Sequence, residues 1–153
     1  MKETTRIGEQ LKRAFEGNAW HGPSLTEILD GVTAIEASRR PFPQTHNIWE
    51  IVLHLSTWHR VVRERLEGKV IIDLTADQDW PPVKDNTDPA WKIALEAFHA
   101  GQRILRDKIL NLDDTRLQDT VAGMDYSVYV MLHGVIQHDL YHAGQIALLK
   151  KSR

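Results

Sequence analysis

Cysteine is absent from the chain, which removes disulfides, thiolate metal ligands and a thiol nucleophile from consideration and leaves the redox compartment undetermined. Any metal must then be held by His, Asp or Glu. An excess of one charge is lacking too. The 19 Lys and Arg are set against 21 Asp and Glu, for a formal net charge of -2, and the two signs are interspersed. No electrostatic footprint for nucleic acid or an anionic membrane results, and neither is an expected partner. No apolar run approaches the length of a membrane span. The opening Met1-Lys2-Glu3-Thr4-Thr5-Arg6 leads into an amphipathic pattern rather than the apolar core of a signal peptide, so a cytoplasmic location is the expectation. Internal repeats and low-complexity segments are also missing. What is present is 42% hydrophobic residues over 153 positions, enough for one full core and too few residues for two ordinary domains, so a single domain over 1–153 is expected.

The apolar periodicity of the long segments is helical. Ile7, Leu11, Ala14 and Phe15 mark a first helix that Gly17-Asn18 can stop. Ser24-Leu25-Thr26-Glu27 reads as a capping box opening a helix through Leu29, and Thr33 to Glu36 repeats its spacing. Pro41 and Pro43 force an extended run. Asn47 as N-cap, with Glu50 three residues on, starts a second long helix carrying Ile48, Ile51, Val52, Leu55, Val62 and Leu66 and stopping near Gly68. Glu50 belongs to that cap by this reading. From Lys69 to Asp88 the pattern fails, with a short extended piece at Ile71-Ile72. A connection of that length is usually a functional lid or a mobile segment. Asp88 as N-cap and Pro89 begin the third long helix, whose core side carries Trp91, Phe98, Leu105 and Ile109 and leaves His99 on the surface. A second connection, Asp113 to Asp125, has a possible extended piece at Leu117 to Val121. The last helix runs from about Tyr126 to Lys150. Four long helices with two long connections predict an all-α four-helix bundle.

The histidines carry the chemistry. His138 and His142 stand four apart, on one face of the last helix, and share that face with Val128, Met131, Val135, Ile146 and Leu149, so both point inward. A buried polar group without a partner costs about 1–3 kcal/mol, and a metal ion is one partner for two converging imidazoles. The second long helix offers two further histidines. His59 lies within its apolar stripe and His54 on the flank beside Ile51 and Trp58, and helical geometry does not choose between them as a third ligand. Trp49, Trp58 and Trp91 sit at core spacing, while Trp20 and Trp80 fall in connections and are better placed to line a mouth.

The stretch Asn47-Ile48-Trp49-Glu50-Ile51-Val52-Leu53-His54-Leu55 with Trp58, and the later Gln137-His138-Asp139-Leu140-Tyr141-His142-Ala143-Gly144-Gln145-Ile146, closely resemble the DinB/YfiT-like family. The order and spacing of the helices agree over almost the whole chain. The resemblance implies a four-helix bundle of that type, with a divalent metal held by one histidine of the second long helix and two of the fourth. Position by position these are His54, His138 and His142, so the resemblance favours His54 over His59. Three neutral imidazoles suit zinc or nickel, with iron or manganese as further candidates, and leave a coordination position open. Asp139 resembles the general base of His-Glu-x-x-His proteases only superficially. Its expected role is a hydrogen bond that orients a ligand or fixes helix packing, with Tyr141 and Gln145 as weaker supporting residues.

The resemblance further implies a metal-dependent transferase acting on a small-molecule substrate with a low-molecular-weight thiol, such as bacillithiol or mycothiol, in detoxification or stress. It also implies a homodimer. The alternatives are a non-catalytic, metal-stabilised interaction protein and a metal-dependent hydrolase. Trp20 to Pro23 and Lys69 to Asp88 are the connections expected to build the pocket.

Overall fold

A computed structural model describes residues 1–152. Four long helices dominate it: α1 (Glu3–Glu16), α4 (Ile48–Leu66), α6 (Asp88–Leu110) and α7 (Val128–Lys151). Two short helices, α2 (Leu25–Leu29) and α3 (Ala34–Ser38), join α1 to α4. A third, α5 (Ala76–Asp79), lies in the connection to α6, and a 3-10 turn (Asp114–Gln118) precedes α7. No strand occurs among the described residues, where the one β contact is an isolated bridge between Thr120 and Ser127. The expected all-α bundle is therefore the observed one. Among the described residues no helix is long and apolar enough to cross a membrane.

Local sequence sets most helix starts. Ser24 with Glu27, Thr33 with Glu36 and Asn47 with Glu50 each form a complete capping box, in which the side-chain oxygen takes one free amide and the acid takes another, worth about 1 kcal/mol per cap. The α6 start falls one residue earlier than expected. Thr87 is the N-cap and Asp88 already helical, where its charge meets the positive end of the helix dipole. Beyond the Gly17 C-cap of α1, Asn18 adopts the left-handed region at φ 60°, a conformation Asn tolerates better than most residues. Gly8 permits α1 and α6 to close up, because a Cβ there would lie 2.8 Å from Leu110 Cδ2.

The two expected extended pieces do not become strands, although Thr120 in the second makes the isolated bridge to Ser127. Leu117 is buried from the 3-10 turn, which Asp113 caps through the Thr115 amide. The Ile71 carbonyl accepts from the Arg65 guanidinium instead of a neighbouring strand. β-Branched residues favour strands only where a partner strand exists to pack and bond against. His99 is also misplaced by the periodicity. It is half-buried with its ring edge-on to Phe15 at 5.3 Å.

The core has two apolar regions. One gathers Phe15, Leu25, Leu55, Phe98, Ala143 and Ile146 beneath α2 and α3, and the other gathers Leu11, Val62, Leu105, Leu132, Val135 and Ile109 towards the opposite end. Between these two levels on α4 and α7 lie His59 and Asp139, both 0% exposed, with His59 Nε2 at 2.8 Å from Asp139 Oδ1. His59 also stacks on Phe98 with ring centroids 5.4 Å apart. His59 is thus a partnered core residue, and Asp139 fixes helix packing rather than orienting a site histidine.

Removing one member strands the other in the core. Asp139→Ala is expected to lower stability by about 3–5 kcal/mol, and a joint His59→Leu/Asp139→Leu variant by less than the sum of the two single changes, both read from urea denaturation.

Candidate metal centre

α4 and α7 pack side by side so that His54 meets His138 and His142. Their ligand atoms all lie within 4.8 Å of one another. His138 Nε2 stands 3.0 Å from His54 Nε2 and 3.1 Å from His142 Nε2. His54 and His142 are buried and His138 is partly so.

Two of the three rings are oriented by hydrogen bonds on their far side. His54 Nδ1–H donates to the Asp79 carbonyl at 2.7 Å, with Asp79 Oδ1 also within 3.1 Å. His142 Nδ1–H donates to Gln145 Oε1 at 2.7 Å. Each bond places the ring proton on Nδ1 and leaves Nε2 a bare lone pair aimed at the common point. A proton on His138 Nε2 serves one such neighbour well and not both. A single cation satisfies all three. Tetrahedral zinc–imidazole bonds of about 2.0–2.1 Å separate their nitrogens by roughly 3.3 Å, close to the two spacings at His138, so the cluster could hold a metal ion.

Burial is the largest cause that lowers the pKa of each ring. For His138 burial is reinforced by His142 and His54, and the value is pushed down to about 3. The rings therefore present neutral imidazoles at physiological pH, the protonation state that ligates.

The connection after α4 supplies the cover. The Thr75 N–H donates to Gln78 Oε1 at 3.0 Å where α5 opens, and the chain then delivers Asp79 and Trp80 over His54. The Trp80 indole stacks on His54 at 3.8 Å between centroids and on His46 at 3.5 Å on its other face. Asp79 Oδ1 accepts from Trp58 Nε1–H at 2.8 Å. Trp58 is accordingly a pocket wall, whereas Trp49 and Trp91 pack against each other in the core. Glu50 stays with its cap, accepting from the Asn47 amide at 3.0 Å and from Arg40 at 2.6 Å.

Two cavities flank the cluster. One, of about 410 Å³, runs between α4 and α7 past His54 and His138 to Arg65 and Tyr126. The other, of about 670 Å³, is lined by His46, Trp80, His138, His142 and Gln145. Lys69 to Asp88 thus contributes to the pocket as expected. The Trp20 to Pro23 segment does not: Trp20 is 100% exposed, and His21 and Pro23 border a separate cavity. Tyr141 is exposed and its hydroxyl has no role in holding a site histidine, while Gln145 does.

Trp80 lines the second cavity as its place in a connection led one to expect, whereas Asp79 and Arg65 were not apparent as site residues from periodicity, because each reaches the site through a connection or a cavity. A buried arginine within an apolar helix face was the available signal for Arg65.

The family model described as the DinB superfamily matches residues 19–146 of the chain. No curated protein and no solved structure gives a significant match.

The depressed imidazole pKa values make a signed prediction for the metal-free protein. An unfolded chain takes up protons below pH 6.5 that folded His138 refuses until about 3, so more protons bind the unfolded state in that window. Stability should be level above pH 6.5 and fall on acidification through the window. His138→Leu should reduce that slope, as read from urea midpoints across pH.

Proposed function

The chain belongs to the DinB superfamily, and from that premise we propose that it is a metal-dependent transferase, in which His54, His138 and His142 hold a divalent transition metal and a low-molecular-weight thiol is a substrate. The observation that carries this reading is that His138 lies in the wall of both cavities. A site reached from two sides suits the joining of two molecules. A closed structural ion would need neither cavity.

When bound, a divalent ion supplies the Lewis acidity that stabilises an anionic nucleophile at neutral pH. The donor set fits zinc or nickel first, since three neutral imidazoles and no carboxylate suit borderline ions better than magnesium or calcium. The chain's residues provide orientation. Asp79 and Gln145 hold two ring tautomers, and Trp80 shields one face of His54 from water. With no cysteine in the chain, the nucleophilic sulfur arrives on the substrate. Its attack forms a carbon–sulfur bond, the leaving group departs with its bonding pair, and the thiol proton passes to solvent.

Elemental mass spectrometry of untagged protein is expected to find about one equivalent of transition metal, lost in a His138→Ala/His142→Ala variant. The loaded protein should accelerate conjugation of a small thiol to an electrophilic dye, and the variant should not. A parent that takes up none of zinc, nickel, manganese or iron sinks the reading. Metal without thiol turnover would leave an ion that only stabilises the fold by binding the native state.

Gln145 acts on the site through His142. Gln145→Leu is expected to weaken metal affinity by about 10–100-fold, measured by chelator competition, with the helical circular dichroism unchanged.

A further inference from the structure

The 410 Å³ cavity between α4 and α7 contains a cation whose charge the protein leaves unmatched. Arg65 is 6% exposed. Its Nε and Nη2 donate to the Ile71 carbonyl, and its Nη1 donates to the Tyr126 hydroxyl at 2.8 Å. The Trp58 ring lies 5.8 Å from its Cζ. These partners are all neutral, and no carboxylate among the described residues pairs with it. A guanidinium has five N–H donors, so two remain for a further acceptor. The Tyr126 hydroxyl accepts from Arg65, and its own proton has no acceptor among the described residues.

Burying a charge without a counter-charge is costly, and a guanidinium is geometrically matched to a planar oxyanion. The rest of the cavity wall is apolar, including Val62, Met131 and Val135. Its one acidic side chain, Asp79, stands at the histidine end, bonded to His54 and Trp58. On α4 the lining positions run from His54 through Trp58 and Val62 to Arg65, three helical turns along one face. The cavity therefore has polarity along its length, with the histidines at one end and an uncompensated cation at the other.

We propose that this cavity is a subsite for an organic carboxylate, with the carboxylate bound by Arg65 and Tyr126, an apolar stem along Val62 and Val135, and the other end of the molecule at the histidines. The assignment rests on the metal-dependent transfer reading for what happens at that other end, and it makes one of the two substrates an anion. The second cavity, without Arg65, receives the other substrate.

Hexanoate and its neutral counterpart hexanamide probe the subsite in metal-free protein, by isothermal titration calorimetry with intrinsic tryptophan fluorescence, to which Trp58 of the cavity wall contributes, as a second readout. Hexanoate is expected to bind about tenfold or more tightly than hexanamide, the size of charge-assisted hydrogen bonds. Arg65→Met should abolish that preference while keeping hexanamide binding. Gly134 lines the cavity, and a Cβ built there meets nothing within 4 Å, so Gly134→Leu should fill the space and remove binding of both probes with Arg65 intact. Equal affinity for the two probes, or a preference that survives Arg65→Met, overturns the proposal. If Arg65→Met does not fold, Gly134→Leu decides: a preference surviving there places the anion outside the cavity and overturns it equally. Because every sample lacks metal, the outcome is independent of the transfer reading. Retained hexanoate preference with failed thiol turnover sinks the transferase alone, and the reverse pattern sinks the subsite alone.

Discussion

The pair His59–Asp139 sets the register on which the site depends. Apolar contacts between helices are non-directional, and Leu or Val side chains repack under small rotations at modest cost. A hydrogen bond of 2.8 Å between two side chains that are 0% exposed is different. Breaking it leaves buried polar groups that water cannot reach. It therefore pins α4 against α7 in rotation and in translation. Asp139 is the neighbour of His138, and His59 follows His54 by little more than a turn. A slip of one residue turns a helix by about 100°, enough to carry His138 away from the other rings. The same register lines Trp58 and Arg65 of α4 against Gly134 and Val135 of α7 along one cavity.

The electrostatics of the site follow from what α4 and α7 leave out. The three ring nitrogens converge with no carboxylate among them, so burial keeps the imidazoles neutral and their lone pairs available. The nearest acid, Asp79, is spent on the far side of His54, where its carbonyl and carboxylate hold the tautomer. A carboxylate placed there raises ligand basicity without entering the coordination sphere. Arg65 lies at the opposite end of the cavity from that acid. A ligand carrying a negative charge is thereby given a direction as well as an affinity.

How much of this was legible in the sequence depended on range. Capping boxes are contacts between residues three apart, and Ser24–Glu27 and Asn47–Glu50 were readable as such and occur as read. His138 and His142 were readable because they share one helix and its apolar face. Across helices the periodicity lost its power. It saw that His59 was buried and could not see that its partner was Asp139, and the choice of His54 came from resemblance to a family rather than from the wheel. One signal was overlooked: a histidine within the apolar stripe of one helix and an acid on the inward side of another are two buried polar groups that each require a partner, and they are each other's. Trp80 was legible as a pocket-lining residue but not its stacking on His54, and Asp79 was hidden, because their partners depend on where a connection of more than twenty residues folds back, which no local pattern encodes. The β-branched pair Ile71-Ile72 misled for the same reason, since a strand is defined by a neighbour.

That connection also explains why the site is open. Four long helices can enclose a cluster only from the sides that helices occupy, and His54 and His138 stand at the flank of the α4–α7 seam. What covers them is α5, four residues long and with no buried residue of its own. Such an element has little apolar burial to hold it. Its anchors are its cap, the stacking of Trp80 between His46 and His54, and the bonds from His54 and Trp58 to Asp79. The interactions that orient His54 are therefore the ones that hold the cover down. Orientation of the ring and placement of the connection therefore rest on the same contacts. A deeper burial of α5 would separate the two and close the flank, at the loss of the access that both cavities provide.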